Sequence, residues 1–224
     1  MASVGITVDR ALGVPIPVLR RLARAHRRDH ALALELWATE IHEARILASM
    51  VDDPERVGRR QMDAWVADFD SWDLCDQVCN NLFRRARGAD AAAQAWASRP
   101  EEFVRRAAFS MVAGQAVHDH DRDDAYFLAW LPRIRQAALD ERNTVRKAVN
   151  WALRQIGKRN SALHGAAVEE AERLLELEGR SARWIARDAL RELRSDALVT
   201  RLGLGDDGAP AASAGQPERR QRPV

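Results

Sequence analysis

The sequence predicts an all-α protein built from stacked helical repeats. Most of residues 1–202 fall into helix-compatible runs with apolar side chains three or four positions apart. No alternating pattern of Val, Ile and Thr is long enough to predict a strand. A short sequence pattern also recurs at a fixed distance, as repeat proteins require.

The recurring pattern begins at Val104 as Val-Arg-Arg-Ala. It returns at Val145 as Val-Arg-Lys-Ala and at Ala186 as Ala-Arg-Asp-Ala, each time 41 residues later. That period falls in the range of HEAT and armadillo repeats, whose helix pairs cannot bury an apolar stripe alone. Stacked pairs would form a HEAT-like solenoid with one concave binding face.

The helical runs follow one another through the chain, separated by short polar or Gly- and Pro-containing segments. They cover residues 15–28, 31–50, 59–67, 71–86, 89–97, 101–117, 123–140, 144–158, 162–178, 182–194 and 197–202. N-caps are predicted at Ser98, Asn143, Ser161 and Ser181. Pro132 lies inside a helical pattern, so that helix is kinked or begins anew there.

Composition predicts one folded domain over residues 1–202 and a disordered tail over residues 203–224. The chain is 46% hydrophobic and 30% charged, enough for one continuous core in 224 residues. The tail is rich in Gly, Pro, Ala and Arg and poor in large apolar residues. No apolar run of about 18 residues and no signal-peptide core occurs. A cytoplasmic protein without a membrane partner is expected.

The cysteines and histidines do not predict a metal site. Cys75 and Cys79 lie four residues apart and suit neither a disulfide framework nor a four-ligand zinc site, so we expect small core residues. His118 and His120, with two neighbouring aspartates, have the donors for a metal, but the segment has the composition of a polar loop between helices.

The basic residues are almost all arginine, with lysine only at Lys147 and Lys158. Arginine matches phosphate groups bidentately, which suits a DNA backbone. A GC-rich genome explains the same bias, so position is the better guide. The repeat places Arg105 or Arg106 and Arg146 or Lys147 at equivalent sites, as a surface that follows a phosphate backbone needs.

The segment Asp-Ser-Trp-Asp-Leu-Cys-Asp at residues 70–76 opens a helix and sets Trp72 and Asp76 four residues apart on one face. An indole beside a carboxylate suits a cation, because the ring quadrupole and the negative charge both attract it. Half-buried packing of the tryptophan beside a solvated aspartate is the alternative interpretation of the same pair.

Together these segments resemble the AlkD-like DNA alkylation repair proteins, a family of HEAT-like repeat DNA glycosylases. The resemblance runs from about residue 13 to residue 202. It is carried by residues 13–20 (Gly-Val-Pro-Ile-Pro-Val-Leu-Arg), 34–37 (Leu-Glu-Leu-Trp), 41–45 (Ile-His-Glu-Ala-Arg), 71–76, 103–107 (Phe-Val-Arg-Arg-Ala) and 145–154 (Val-Arg-Lys-Ala-Val-Asn-Trp-Ala-Leu-Arg).

The resemblance implies a base excision repair enzyme that removes cationic N3- or N7-alkylated purines from double-stranded DNA. It implies that Asp76, Trp72 and Trp151 act at the reacting sugar, while Arg106 holds a phosphate, with Arg105 as the alternative to it. Arg146 and Lys147 complete the expected DNA-binding set. No metal or organic cofactor is implied, and a monomer is expected.

Two other classes of function fit the same sequence. A catalytically inactive HEAT-like protein would use the arginine surface only to recognise DNA. A protein-binding scaffold would instead expose an apolar or acidic groove.

Overall fold

The computed structural model describes residues 10–204, and every regular element in that part of the chain is a helix. A 3₁₀ turn also spans Phe83–Arg85. The α-helices are α1 Ile16–Ala23, α2 His30–Ala38, α3 His42–Val51, α4 Arg59–Ala67, α5 Trp72–Asn81, α6 Ala89–Trp96, α7 Glu102–His118, α8 Asp124–Leu128, α9 Leu131–Ala137, α10 Asn143–Gly157, α11 Ser161–Leu175, α12 Arg180–Leu193 and α13 Asp196–Arg201.

The helices pack in two layers. Helices α1, α3, α5, α7, α10 and α12 contact one another in that order and form what we call the central row. Helices α2, α4, α6, α9 and α11 cover this row from one side. Each helix pair buries its apolar stripe against the next pair, so one core runs the length of the stack. The predicted all-α helical repeat fold is confirmed over the described residues.

The repeat spacing is regular only between its first two units. Helices α7 and α10 begin 41 residues apart, at Glu102 and Asn143, and bury Val104 and Val145 at matching positions. Helix α12 begins only 37 residues after α10, so Ala182 occupies the matching position and Ala186 lies one turn further on. The sequence match at Ala186 persists because four residues are close to one helical turn and keep the same face buried.

Two long helical runs are each divided in the structure, one against the prediction and one in agreement with it. The run at residues 31–50 is two helices, because the chain turns at Glu40, whose φ is +58°. The run at residues 123–140 is also two helices, which confirms the prediction that a helix begins anew at Pro132. Pro132 lies in the first turn of α9, where the N–H that proline lacks would have no partner within the helix.

The predicted N-caps are each displaced by one to three residues. Glu101 precedes α7, and Asn143, Ser161 and Ser181 lie inside the helices that they were expected to cap. Asn160 caps α11, since its side-chain oxygen accepts a hydrogen bond from the Leu163 amide at 2.9 Å.

Aromatic side chains fill the core at the amino-terminal end of the stack. Trp37 and Trp65 lie face to face with ring centroids 3.9 Å apart, and Phe69, Phe83 and Trp96 continue the cluster. The buried indole N–H groups of Trp37 and Trp96 donate to Asp68 and Asp63 at 2.8 Å each. The outer helices are therefore joined by polar bonds as well as by apolar contacts.

The predicted tail lies outside the described residues, apart from Gly203 and Leu204. None of the helices between residues 10 and 204 combines the length and apolarity that a bilayer crossing requires.

Two helical glycines provide a matched test of this packing. A Cβ added to Gly157 would lie 2.7 Å from Cδ2 of Leu193 and 2.8 Å from Cβ of Ala167, whereas a Cβ on Gly165 meets nothing within 4 Å. We expect Gly157→Ala to lower the free energy of unfolding by about 1–3 kcal/mol through overpacking. Gly165→Ala should raise it by about 0.5–1 kcal/mol. Urea unfolding followed by circular dichroism measures both, and a stabilised Gly157 variant would contradict the close approach of α10, α11 and α12.

Candidate functional site

Three neighbouring helices of the central row meet at one ion pair. The carboxylate of Asp76 on α5 accepts two hydrogen bonds from Arg106 on α7, from Nε to Oδ1 at 3.1 Å and from Nη2 to Oδ2 at 2.7 Å. Ser110, one turn further along α7, donates to the same Oδ1 at 2.7 Å. Nη1 of Arg106 donates to the carbonyl oxygen of Thr144 on α10 at 2.5 Å. We call Asp76, Arg106, Ser110 and Thr144 the carboxylate network.

Arg106 is buried, with 5% of the residue exposed, and Ser110 is fully buried. Burial opposes the charged guanidinium, but the charge and hydrogen bonds of Asp76 outweigh this effect and raise the pKa of Arg106 above its ordinary value. Arg106 is therefore a fixed cation whose fork orients one carboxylate. The Asp76 side chain is more open, at 19% exposed against 7% for Arg106, so it forms the accessible end of the pair.

The two tryptophans of the predicted catalytic set lie on different helices. Trp72 is the first residue of α5, half-buried, one turn before Asp76 on the same face. Trp151 is half-buried on α10, about two turns after Thr144, and packs on the core. Its indole nitrogen lies 3.1 Å from the side-chain oxygen of Gln155 when that amide is oriented to accept. Among the described residues no hydrogen bond or ring contact joins Trp151 to the carboxylate network.

Arg105 takes no part in the carboxylate network. Its Nη1 donates to Asp140 at 2.8 Å and its Nη2 donates to the carbonyl oxygen of Ser98 at 3.2 Å. It lines a cavity of about 560 Å³ with Gln94 and Gln136. Of the two adjacent arginines, Arg106 is thus the one beside Asp76, and Arg105 ties α7 to the segment before α10.

Arg146 and Lys147 lie in the first turns of α10, and Lys147 is exposed. Arg146 donates to Oδ1 of Asn143 at 2.8 Å, and its guanidinium lies 4.5 Å from the ring centroid of Trp184 on α12. Trp184 is 37% exposed, unusually open for a tryptophan. The sequence analysis missed it, although its position between Arg183 and Arg187 on a polar helix face is the pattern of an aromatic within a basic surface.

A second charged pair lies one turn before the carboxylate network on α5. Nε2 of His42, the first residue of α3, lies 2.8 Å from Oδ2 of Asp73. The hydrogen bond to Asp73 raises the pKa of His42 against the opposing effect of burial, with further support from the charges of Glu43 and Asp70. Burial opposes the charge of Asp73, but the bond to His42 prevails and lowers its pKa. The sequence analysis missed this pair because the partners are 31 residues apart.

Cys75 and Cys79 are buried free thiols, as expected of small core residues. Their sulfurs donate to the carbonyl oxygens of Phe103 and Ala107 on α7, at 3.8 and 3.7 Å. Burial raises the pKa of Cys79 well above its ordinary value, so this thiol is unreactive. Within residues 10–204 no three His, Cys, Asp or Glu side chains lie together in a group that could hold a metal ion.

Fold and site together define a HEAT-like repeat protein whose central row carries an arginine-bound carboxylate beside tryptophan. The sequence pattern of the family described as DNA alkylation repair enzyme matches residues 1–193. The chain belongs to that family, which confirms the resemblance found in its motifs. No curated protein matches the chain significantly.

A solved structure shows the same fold. It is described as a new family of proteins related to the HEAT-like repeat DNA glycosylases with affinity for branched DNA structures. The TM-score is 0.70 at 20% sequence identity, and the match covers 90% of this chain and 87% of the other. Similarity at that level of identity establishes the architecture, which is the HEAT-like repeat solenoid.

The His42–Asp73 pair predicts a pH dependence of stability. Folding raises the pKa of His42, so its contribution is complete below about 6.5, its unfolded value, and is lost as pH rises through the folded value. The lowered pKa of Asp73 has the opposite sign. Its contribution is present above about 3.9 and is lost as pH falls through the folded value.

His42→Gln keeps a hydrogen-bond donor without the charge. The stability difference between the wild type and this variant should therefore shrink as pH rises above about 6.5. Urea unfolding across neutral pH measures it, with His26→Gln, at an exposed histidine, as the control. A difference that stays constant across this range would mean that folding does not raise the pKa of His42.

Proposed function

We propose that this protein is a DNA glycosylase that releases purines carrying a positive charge from N3- or N7-alkylation. The observation that carries this proposal is the carboxylate network. It presents one oriented carboxylate beside Trp72 in a member of the DNA alkylation repair enzyme family. The substrate is alkylated duplex DNA, and the protein acts as a cytoplasmic monomer.

Alkylation activates the leaving group. A cationic purine takes the electrons of its glycosidic bond and departs as a neutral base, so positive charge moves to C1′ and O4′ of the deoxyribose. Water then adds to C1′ and loses a proton, which leaves an abasic site. This sequence requires no metal or organic cofactor, because the charge on the base supplies the activation.

Asp76 stabilises the positive charge that develops on the sugar. A carboxylate fixed in place before the reaction does not have to reorganise in the transition state, and this fixed geometry is the source of its effect. Arg106 and Ser110 hold both of its oxygens. Trp72 and Trp151 flank the sugar, where their ring faces attract the same charge.

For Arg106 the geometry favours positioning over phosphate contact. Its guanidinium is buried, and three of its donors are committed to Asp76 and Thr144. Phosphate contact falls instead to Arg146 and Lys147, the more open members of the predicted set. Arg105 is held by Asp140 and contributes charge from outside the carboxylate network.

A second candidate function is recognition of DNA structure without base release. The observation that favours it is that Arg106 already compensates the charge of Asp76, which weakens the field available to a sugar cation. The solved structure with the same fold is described as having affinity for branched DNA structures, so it is an example of such recognition. Base release separates the two functions, since both predict DNA binding.

The first experiment follows release of single lesions from duplex DNA by the purified protein. Cationic 3-methyladenine and 7-methylguanine should be released, whereas hypoxanthine, uracil and 1,N6-ethenoadenine should persist. A neutral base needs a general acid beside it, and the carboxylate network offers only Asp76, which is assigned to the sugar. Release of a neutral base would contradict the charge-based mechanism, and no release at all with intact DNA binding would favour the second candidate.

The second experiment removes the charge of Asp76. Asp76→Asn should lower the single-turnover rate of base release by at least about tenfold, which corresponds to roughly 1.4 kcal/mol of transition-state stabilisation. Near-normal release would exclude Asp76 from the reaction.

Glu170→Gln is the matched control for Asp76→Asn. Glu170 is a buried carboxylate bound bidentately by Arg135, at 2.7 and 2.6 Å, on the outer helices α9 and α11. Both variants break an arginine–carboxylate pair, so both lower stability, and urea unfolding measures that loss separately. Only the Asp76 variant should lose base release at a temperature where both are folded.

A further inference from the structure

An arginine-lined groove lies beside the carboxylate network and takes no part in it. The groove encloses about 380 Å³ between α1, the end of α3 and the end of α5. No carboxylate is among its described lining residues. They are Arg20, Ala23, Arg24, Arg27, Met50, Asn80, Asn81, Arg84 and Arg85. We call this feature the arginine groove.

One wall of the groove consists of arginines that have no internal role. Arg20, Arg24 and Arg27 follow at i, i+4 and i+7 and are all exposed. Between residues 10 and 204 no hydrogen bond or ion pair joins any of the three to another side chain. Like charges that lie close together repel one another, so the fold gains nothing by grouping them.

The opposite wall is held in position by the backbone. Nε of Arg84 donates to the carbonyl oxygen of Asn80 at 3.0 Å, and Nη2 of Arg85 donates to the carbonyl oxygen of Asn81. Nη1 of Arg84 also donates to Asp119 at 3.1 Å. Burial lowers the pKa of Arg85, and the like charges of Arg84 and Arg28 lower it further. Asp119 compensates the charge of Arg84, whereas none of the described residues forms an ion pair with the other four arginines of the groove.

Helix dipoles account for only part of this arrangement. The negative end of a helix attracts cations by about 0.3–1 kcal/mol each, but the effect falls off within the last turn. Arg20 and the C-cap residue Arg24 lie within reach of the α1 dipole, but Arg27 lies beyond the end of that helix. The dipole therefore does not explain why Arg27 lines the same groove as Arg84 and Arg85, and an external anion supplies an explanation.

The groove lies about one helical turn from the proposed catalytic residue along α5. Asn80, which lines the groove, donates from its side chain to the carbonyl oxygen of Asp76 at 2.9 Å. Four residues of helix correspond to about 6 Å. That distance spans about two phosphates of one DNA strand, which follow every 3.4 Å or so along the duplex axis. A DNA backbone beside Asp76 would therefore reach the groove without bending sharply.

We propose that the arginine groove binds the phosphate backbone of DNA next to the nucleotide whose sugar lies at Asp76. The inference rests on the proposed function in its choice of DNA as the partner. The groove is recessed, and a strand of phosphates fits such a groove better than a lipid surface would. A membrane needs a broad, open face of the protein to contact. The three unpartnered arginines, Arg20 on α1 and Arg24 and Arg27 just after it, supply the binding charge, and Arg84 and Arg85 fix the depth at which a phosphate sits.

The test is equilibrium binding of a short unmodified duplex by the full chain, followed by fluorescence anisotropy across a salt titration. The triple variant Arg20→Ala, Arg24→Ala, Arg27→Ala should bind about tenfold more weakly near physiological salt. Its salt slope should fall by about three, since each phosphate contact contributes about 0.9. The midpoint temperature of thermal unfolding should stay the same or rise slightly, because these side chains have no hydrogen bond or ion pair to lose among the described residues.

The matched control removes the same charge from the outer side of the molecule. Arg56, Arg60 and Arg87 are exposed, lie on or next to α4 and α6, and do not line the groove. Their triple alanine variant should bind nearly as the wild type does. Equal weakening in both variants would mean that net charge alone causes the effect, and it would overturn the proposal. The proposal would also be overturned if the groove variant bound DNA as tightly as the wild type.

Two further measurements separate the remaining outcomes. If anionic phosphatidylserine vesicles, and not DNA, lose binding in the groove variant, the partner is a membrane and the proposal is wrong. Binding of unmodified DNA does not depend on base release, so a wild-type protein without glycosylase activity would still test the groove. Where release occurs, the groove variant should need more protein for half-maximal rate and keep the wild-type rate at saturation.

Discussion

The structure depends on the bond between Arg106 and Asp76, because a buried guanidinium cannot be left without its counter-charge. Removing one partner of such a pair costs about 3–5 kcal/mol, far more than a surface ion pair contributes. The bond joins α5 to α7, and the contact of Arg106 with Thr144 extends the link to α10. Three consecutive helices of the central row are thus held in register by one side chain, and the orientation of Asp76 follows from the same constraint.

That arrangement combines stability and the proposed chemistry in the same atoms. A carboxylate held by a guanidinium fork and the Ser110 hydroxyl has little freedom to turn, which is the requirement for electrostatic stabilisation without reorganisation. The same bonds reduce its field at a distance. The Asp76 side chain is the more open of the two, so the pair acts as a dipole whose negative end is the accessible one.

The sequence predicts what local periodicity determines. Apolar spacing predicts the helices, and the i, i+4 relation places Trp72 beside Asp76. The helix ends before Glu40 without a Gly or Pro that would predict the end. The shorter spacing between α10 and α12 is also hidden in the sequence, because it keeps the same helix face apolar. The choice between Arg105 and Arg106 is not determined locally, and neither is the pairing of His42 with Asp73. Each depends on how distant helices pack. The arginine groove is missed for the same reason, because its walls are more than 50 residues apart.

The division of the arginines suggests how selectivity and affinity would be separated in such a protein. The field of a dipole falls off faster than that of a single charge, so Asp76 beside Arg106 favours a cation only near contact distance. A neutral sugar in intact DNA gains little from it, and binding energy must then come from elsewhere. Arginines with no acidic partner, such as those at the end of α1 and in the turn after it, act over about a Debye length and recognise any phosphate backbone. Affinity for DNA would thus come from unpaired arginines, and discrimination among bases from the paired one.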